Sequence, residues 1–109
     1  MNIDFFPFQT FNWSSVETEE HKGETGHAYW QTKMLNDIRI RMVEYSAGYK
    51  ADHWCKKGHV LYCFDGEMET ELDNGTVMKL TKGMCYLVGD KNEAHRSSTK
   101  TGCRLFIVD

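Results

Sequence analysis

The run Gly48-Tyr-Lys-Ala-Asp-His53-Trp-Cys55-Lys-Lys-Gly-His59-Val-Leu-Tyr-Cys-Phe-Asp-Gly66 carries three metal-binding side chains between two glycines. Imidazole and thiolate are the groups that bind borderline and soft transition metals. His53 and Cys55 are two apart, so on an extended strand both point to the same face. His59 arrives a short turn later, and His95 comes from a separate segment that opens on Gly83. Two strand-borne clusters converging on one ion would turn a β-sandwich interior into a metal pocket.

Outward from this stretch the chain reads as all-β. Ala28–Lys33 and Ile38–Tyr45 precede it, and the second ends at Ser46-Ala47-Gly48. Val60–Phe64 is a nearly continuous apolar run, as a strand buried on both faces would be. Glu67–Leu72 and Thr76–Leu80 flank Asp73-Asn74-Gly75, where Asn-Gly tolerates positive φ at both central turn positions. Cys85–Val88 and Leu105–Val108 complete the set. No helical face of useful length is evident, and Pro7, the single proline, leaves every candidate strand intact. About eight short strands with tight turns point to a small sandwich or barrel.

At 109 residues, 40% of them hydrophobic, the chain is expected to form one domain over residues 1–109 without disulfide staples. A net charge of −3 gives no basic footprint for nucleic acid or for an anionic membrane surface. No apolar run is long enough to span a bilayer. The N-terminal residues lack a basic region, so a secretory signal is not expected and a cytoplasmic location is. Free thiols are then expected, with Cys63, Cys85 and Cys103 as small core residues. Phe5, Phe6, Phe8, Phe11 and Trp13 crowd an N-terminal arm of about residues 1–27. It could pack on its own sandwich or on a second subunit, and a homodimer is expected.

With these residues in view, the chain resembles the cupin superfamily over about residues 38–109. The first cupin motif runs from a glycine through His-x-His and a glutamate to a closing glycine. Here His53 matches the first histidine, Cys55 stands for the second, His59 for the glutamate, and Gly66 closes at the expected spacing. The second motif reads Gly83-Met-Cys-Tyr-Leu-Val-Gly89-Asp-Lys-Asn-Glu-Ala-His95, with glycine for the usual proline and the histidine one residue late. The order Asp52-His53-Trp54-Cys55 further resembles small single-domain bacterial cupins named for a DHCW motif. The resemblance implies a double-stranded β-helix (jelly-roll) sandwich with one divalent transition metal on His53, Cys55, His59 and His95. Three imidazoles and a thiolate favour zinc, with iron, nickel or copper as competitors. Four protein ligands would make a closed structural site, whereas three plus water would leave a position for chemistry.

Other residues are weighed alongside. On Ile38–Tyr45, the charges of Arg39 and Arg41 favour an outward face, whereas the cupin pattern turns Val43, Tyr45 and hence Arg41 into the pocket. An inward Arg41 would be a fork for a substrate carboxylate or phosphate, with Tyr45 as a substrate-binding partner. Trp54 and Arg96 are expected to face away from the ion, Tyr62 is a candidate donor, and His21 and His27 read as solvated loop residues. The function implied is a metal-dependent enzyme on a small organic molecule. The alternative is a non-catalytic small-molecule, metal or redox-sensing module.

Overall fold

The computed structural model describes residue 3 and residues 5–109; Met1, Asn2 and Asp4 of the arm lie outside the described residues. Eight strands follow a short 3-10 turn at Trp13–Ser15. They are β1 (Thr18–Lys22), β2 (His27–Leu35), β3 (Ile38–Tyr45), β4 (His59–Leu72), β5 (Val77–Thr81), β6 (Cys85–Val88), β7 (His95–Ser98) and β8 (Cys103–Val108). All pairings are antiparallel, in the order β1-β2-β3-β8-β4-β5, with β6 and β7 also on β4. The result is a jelly-roll sandwich, as the sequence implies.

β4 makes the sandwich. Its first half pairs with β8 and β6 in one sheet, and its second half pairs with β5 and β7 in the other. The sequence reads this strand as two, Val60–Phe64 and Glu67–Leu72. They are instead one fourteen-residue strand with a register shift between Cys63 and Asp65. Gly66 sits there at φ +74, and a Cβ on it would lie 2.3 Å from the Gly102 carbonyl oxygen. Only glycine permits both that backbone angle and that approach. The β4–β5 turn differs from the symmetric one expected. Gly75 alone takes positive φ, while Gly75 N–H donates to Leu72 O and Leu72 N–H to Thr76 O.

Alternation then fills the core. Val43 of β3, Leu61 and Cys63 of β4, and Leu105 and Ile107 of β8 face inward from one sheet, against Met68 and Leu80 of the other. Burying each of the larger side chains contributes about 1.5–3 kcal/mol. All four cysteines are free. Cys63 and Cys103 are core residues as expected, but Cys85 is exposed, because in β6 it lies on the face opposite Tyr86. β1 was not legible as a strand and draws in the end of the arm. Further back, the Gln31 side-chain amide donates to the Trp13 and Val16 carbonyls, while Phe5 and Phe8 remain 95% and 96% exposed. No helix among the described residues is long and apolar enough to cross a membrane.

Candidate metal centre

Strand register brings the centre together at one end of the sandwich. His59 opens β4 and His95 opens β7, both buried. Cys55 precedes β4 and is tied to His95 by a two-way backbone bridge, with N–H to O distances of 2.8 and 2.9 Å. The ligand atoms of Cys55, His59 and His95 lie within 4.8 Å of one another. The two Nε2 atoms of His59 and His95 are 3.1 Å apart. Two imidazoles on a tetrahedral zinc ion, at about 2.0–2.1 Å each, place their nitrogens roughly 3.3 Å apart, so the donor set fits such an ion.

The outer ring nitrogens face acceptors. His95 Nδ1 is 3.0 Å from the Glu93 carbonyl oxygen, an arrangement that puts the proton on Nδ1 and leaves Nε2 with its lone pair. His59 Nδ1 is 3.5 Å from Asp109 Oδ2, without hydrogen-bond geometry. His59 Nε2 lies 2.7 Å from the Tyr86 hydroxyl. Burial, followed by the neighbouring Tyr45, pushes the Tyr86 phenol up, so it stays protonated. The hydrogen bond with His95 is the largest influence on Cys55, and its thiol is lowered despite partial burial. The same bond raises His95.

His53, the remaining member of the expected set, is not brought into this cluster. Asp52 and His53 lie in a bend and not a strand, so the two-residue spacing to Cys55 no longer means a shared face. Its side chain is 72% exposed, and Nδ1 is 2.7 Å from Asp52 Oδ1. It borders the mouth of the same cavity.

The parity conflict on β3 is decided in favour of the inward face. Arg41 pairs with Ile107 across the sheet, shares its inward orientation, and is buried. The expectation that Arg41 lies in water fails because Asp109 supplies a buried carboxylate. Asp109 accepts from Arg39 Nε at 2.9 Å, and from Arg39 Nη2 and Arg41 Nη2 at 3.0 Å. Burial works against the Asp109 charge, but the nearby His59, the hydrogen bonds from Arg39 and the two guanidinium charges outweigh it, holding the carboxyl well below its usual range. Arg41 also lies over the Trp30 ring, 4.5 Å from its centroid. Tyr45 is stacked on Tyr49 beside the cavity, and burial raises its phenol. Asp109 and Tyr86 were not singled out from sequence. Alternation carried two residues past Ile107, and across from Leu61, would have pointed to both.

The other expectations divide. Trp54 lies outside the cluster under the Arg96 guanidinium, 4.9 Å away, and Arg96 reaches Glu24 and Glu71. Tyr62 faces outward and is exposed, so it cannot serve the site. His21 and His27 are strand residues and not loop ones; they lie near Glu19 and Glu20, and His21 stacks on Trp30.

Together these residues line an open-mouthed cavity of about 100 Å³ at the end of a jelly roll, with histidines from two separate strands meeting in its wall. The same architecture recurs among solved structures. The fold is that of a cupin. A predicted oxalate decarboxylase from Thermotoga maritima superposes with a TM-score of 0.77 at 15% identity, over 92% of this chain and 96% of that one. Ectoine synthase from P. lautus gives 0.75 at 20% identity, over 93% and 76%. An RmlC-like cupin from Shewanella frigidimarina gives 0.70 at 19%, over 97% and 89%. No protein-family model and no curated protein matches the chain. At these identities the cupin likeness is one of fold, and the chemistry must be argued from this chain's own residues.

Proposed function

We propose that this cupin holds one divalent transition metal, zinc by preference, on Cys55, His59 and His95, and is a metal-dependent enzyme acting on a small organic molecule. The observation that carries the reading is the convergence of the three ligand atoms within 4.8 Å at the wall of a cavity. One thiolate and two imidazoles suit zinc, and three protein ligands leave a fourth position, the pattern of catalytic rather than structural sites. Bound there, the ion would act as a Lewis acid and lower the pKa of a coordinated water. The chain's own residues do the rest. The Glu93 carbonyl orients the His95 imidazole, Tyr86 offers a proton beside His59, and His53 stands at the cavity mouth.

The smallness of the cavity favours a second reading, a binding or sensing module that holds a ligand without converting it. The exposed aromatics Phe5 and Phe8 support the homodimer, and a cytoplasmic setting suits the four free thiols. Elemental analysis of protein purified without added metal, beside Cys55→Ser, His59→Ala and His53→Ala, tests the centre. The wild type and His53→Ala are expected to carry close to one ion per chain, and the other two much less. A metal-free wild type that also refuses zinc contradicts the proposal. Conversion of a small molecule by zinc-loaded protein, lost in His59→Ala, separates the enzyme from the binder. Recovery of a bound molecule unchanged favours the module.

A further inference from the structure

The sequence reads Val60–Phe64 as a strand buried on both faces, yet the described residues cover only one of them. Leu61 and Cys63 point into the core beside Val43, Leu105 and Ile107, and alternation turns their neighbours outward. Strand register lines those neighbours up in two rows across the larger sheet. Leu87, Val60, Val108 and Ile40 form one row, and Tyr62, Phe106 and Met42 the next. Neither row holds a charge, although the outer face of an antiparallel sheet ordinarily carries polar residues. Leu87 is 73% exposed, and Val60 and Tyr62 are each 40% exposed. Arg104, paired with Asp65, follows as a polar rim. Cys85, beside Tyr62 on the edge strand β6, also falls at the rim, where solvent reaches it.

The N-terminal arm crosses the far side of this face and stops short. The Phe5 carbonyl accepts from Asn36 Nδ2 at 3.0 Å, the Lys33 ammonium lies 5.4 Å from the Phe11 ring centroid, and Gln31 holds the Trp13 carbonyl. All three partners belong to β2 or the turn after it. Ile38, at that end of the face, is only 4% exposed. β6 lies four strand spacings from β2, about 19 Å. Phe8 is three residues from the tethers at Phe5 and Phe11, about 11 Å of chain at full stretch. The arm therefore does not reach Leu87 of its own chain.

We infer that a second copy of the chain closes this face, each copy laying Phe5 and Phe8 of its arm across Leu87, Val60 and Tyr62 of the other. This deepens the homodimer reading and rests on it. Each chain carries one uncovered apolar face and one arm with uncovered rings, so a two-fold axis satisfies both needs twice. The area suffices. Two nearly bare phenylalanines present roughly 300–500 Å². With the exposed parts of Leu87, Val60 and Tyr62 added, the surface approaches the about 800 Å² that each partner buries in a specific interface. The lack of charge also lets two identical faces meet without the repulsion that like charges would impose.

Sedimentation equilibrium of the full chain tests this. The wild type is expected at the mass of two chains. Leu87→Glu, and the double variant Phe5→Ser with Phe8→Ser, should each weaken association by more than about tenfold. The side chains changed in the double variant are almost wholly exposed, so that variant decides the matter even if Leu87→Glu fails to fold. Val77→Lys, on β5 of the other sheet and 54% exposed, should leave the dimer as it is. Mixing Leu87→Glu chains, whose arms are intact, with double-variant chains, whose faces are intact, should restore part of the dimer, since one arm and one face again match. Association unchanged in both variants, broken equally by Val77→Lys, or not recovered on mixing overturns the exchanged-arm interface and leaves the homodimer standing. A monomeric wild type overturns both.

Discussion

Replacing Asp109 with asparagine removes one negative charge from the most heavily shared carboxylate in the fold. Its side chain is fully buried and accepts three charge-assisted hydrogen bonds of 2.9–3.0 Å from Arg39 and Arg41. Asparagine keeps one acceptor oxygen but turns an NH2 toward a guanidinium. Removing one partner of a buried ion pair costs about 3–5 kcal/mol, because the remaining charges stay buried. For a domain near 100 residues each kcal/mol shifts Tm by about 4 °C, which gives a fall of roughly 12–20 °C at pH 7. The pH dependence follows from the lowered Asp109 carboxyl. Its stabilisation is fully present above the ordinary carboxylate value of 3.8 and is lost as pH falls through the folded value. The gap between wild type and Asp109→Asn should therefore be constant from about pH 5 to 8 and narrow below about pH 4. Urea unfolding at pH 7, 5 and 3.5 measures it. Asp65→Asn is the control, since the Asp65–Arg104 pair at 3.1 Å is half-exposed and should contribute less than about 1 kcal/mol. Equal, small losses in the two variants would refute the reasoning that the buried triad holds the cavity wall.

Two further outcomes are expected. Gly66→Ala should cost well over 2 kcal/mol, since its Cβ meets backbone that no rotamer can relieve, whereas Gly83→Ala, at φ +97 with open space around it, should cost about 1–2 kcal/mol; urea midpoints compare them. Alkylation followed by mass spectrometry should modify Cys85 quickly and spare Cys63 and Cys103, whose burial pushes the Cys103 thiol up to about 12; Cys55 should react in metal-free protein and be protected by zinc.

Apolar alternation made most of the fold readable, and the exceptions share a cause. Ile38–Tyr45 and Cys85–Val88 have the bounds read from sequence because their faces alternate against a core. β1, Thr-Glu-Glu-His-Lys, is an edge strand held by backbone pairing to β2, so its residues carry no buried apolar face to read. β7, His-Arg-Ser-Ser, does alternate, but its inward residues His95 and Ser97 are polar because they line a cavity. Val60–Phe64 and Glu67–Leu72 read as two strands on either side of Gly66, yet here that glycine lets one strand, β4, pass between sheets. At the candidate site, residue type and spacing pointed to Cys55, His59 and His95, whose ligand atoms lie within 4.8 Å of one another. His53 was expected beside them from two-residue spacing, whereas its side chain lies 72% exposed on a bend, at 2.7 Å from Asp52 Oδ1. Arg41 was hard to orient because its counter-charge, Asp109, lies 68 residues away in sequence.

X-ray absorption at the zinc edge of the loaded wild-type chain measures the ligand set directly. One sulfur near 2.3 Å and two imidazole nitrogens near 2.0–2.1 Å, completed by a light oxygen or nitrogen scatterer, are expected, with the sulfur lost in Cys55→Ser. A shell without sulfur, or one unchanged by Cys55→Ser, would contradict a centre built on Cys55, His59 and His95.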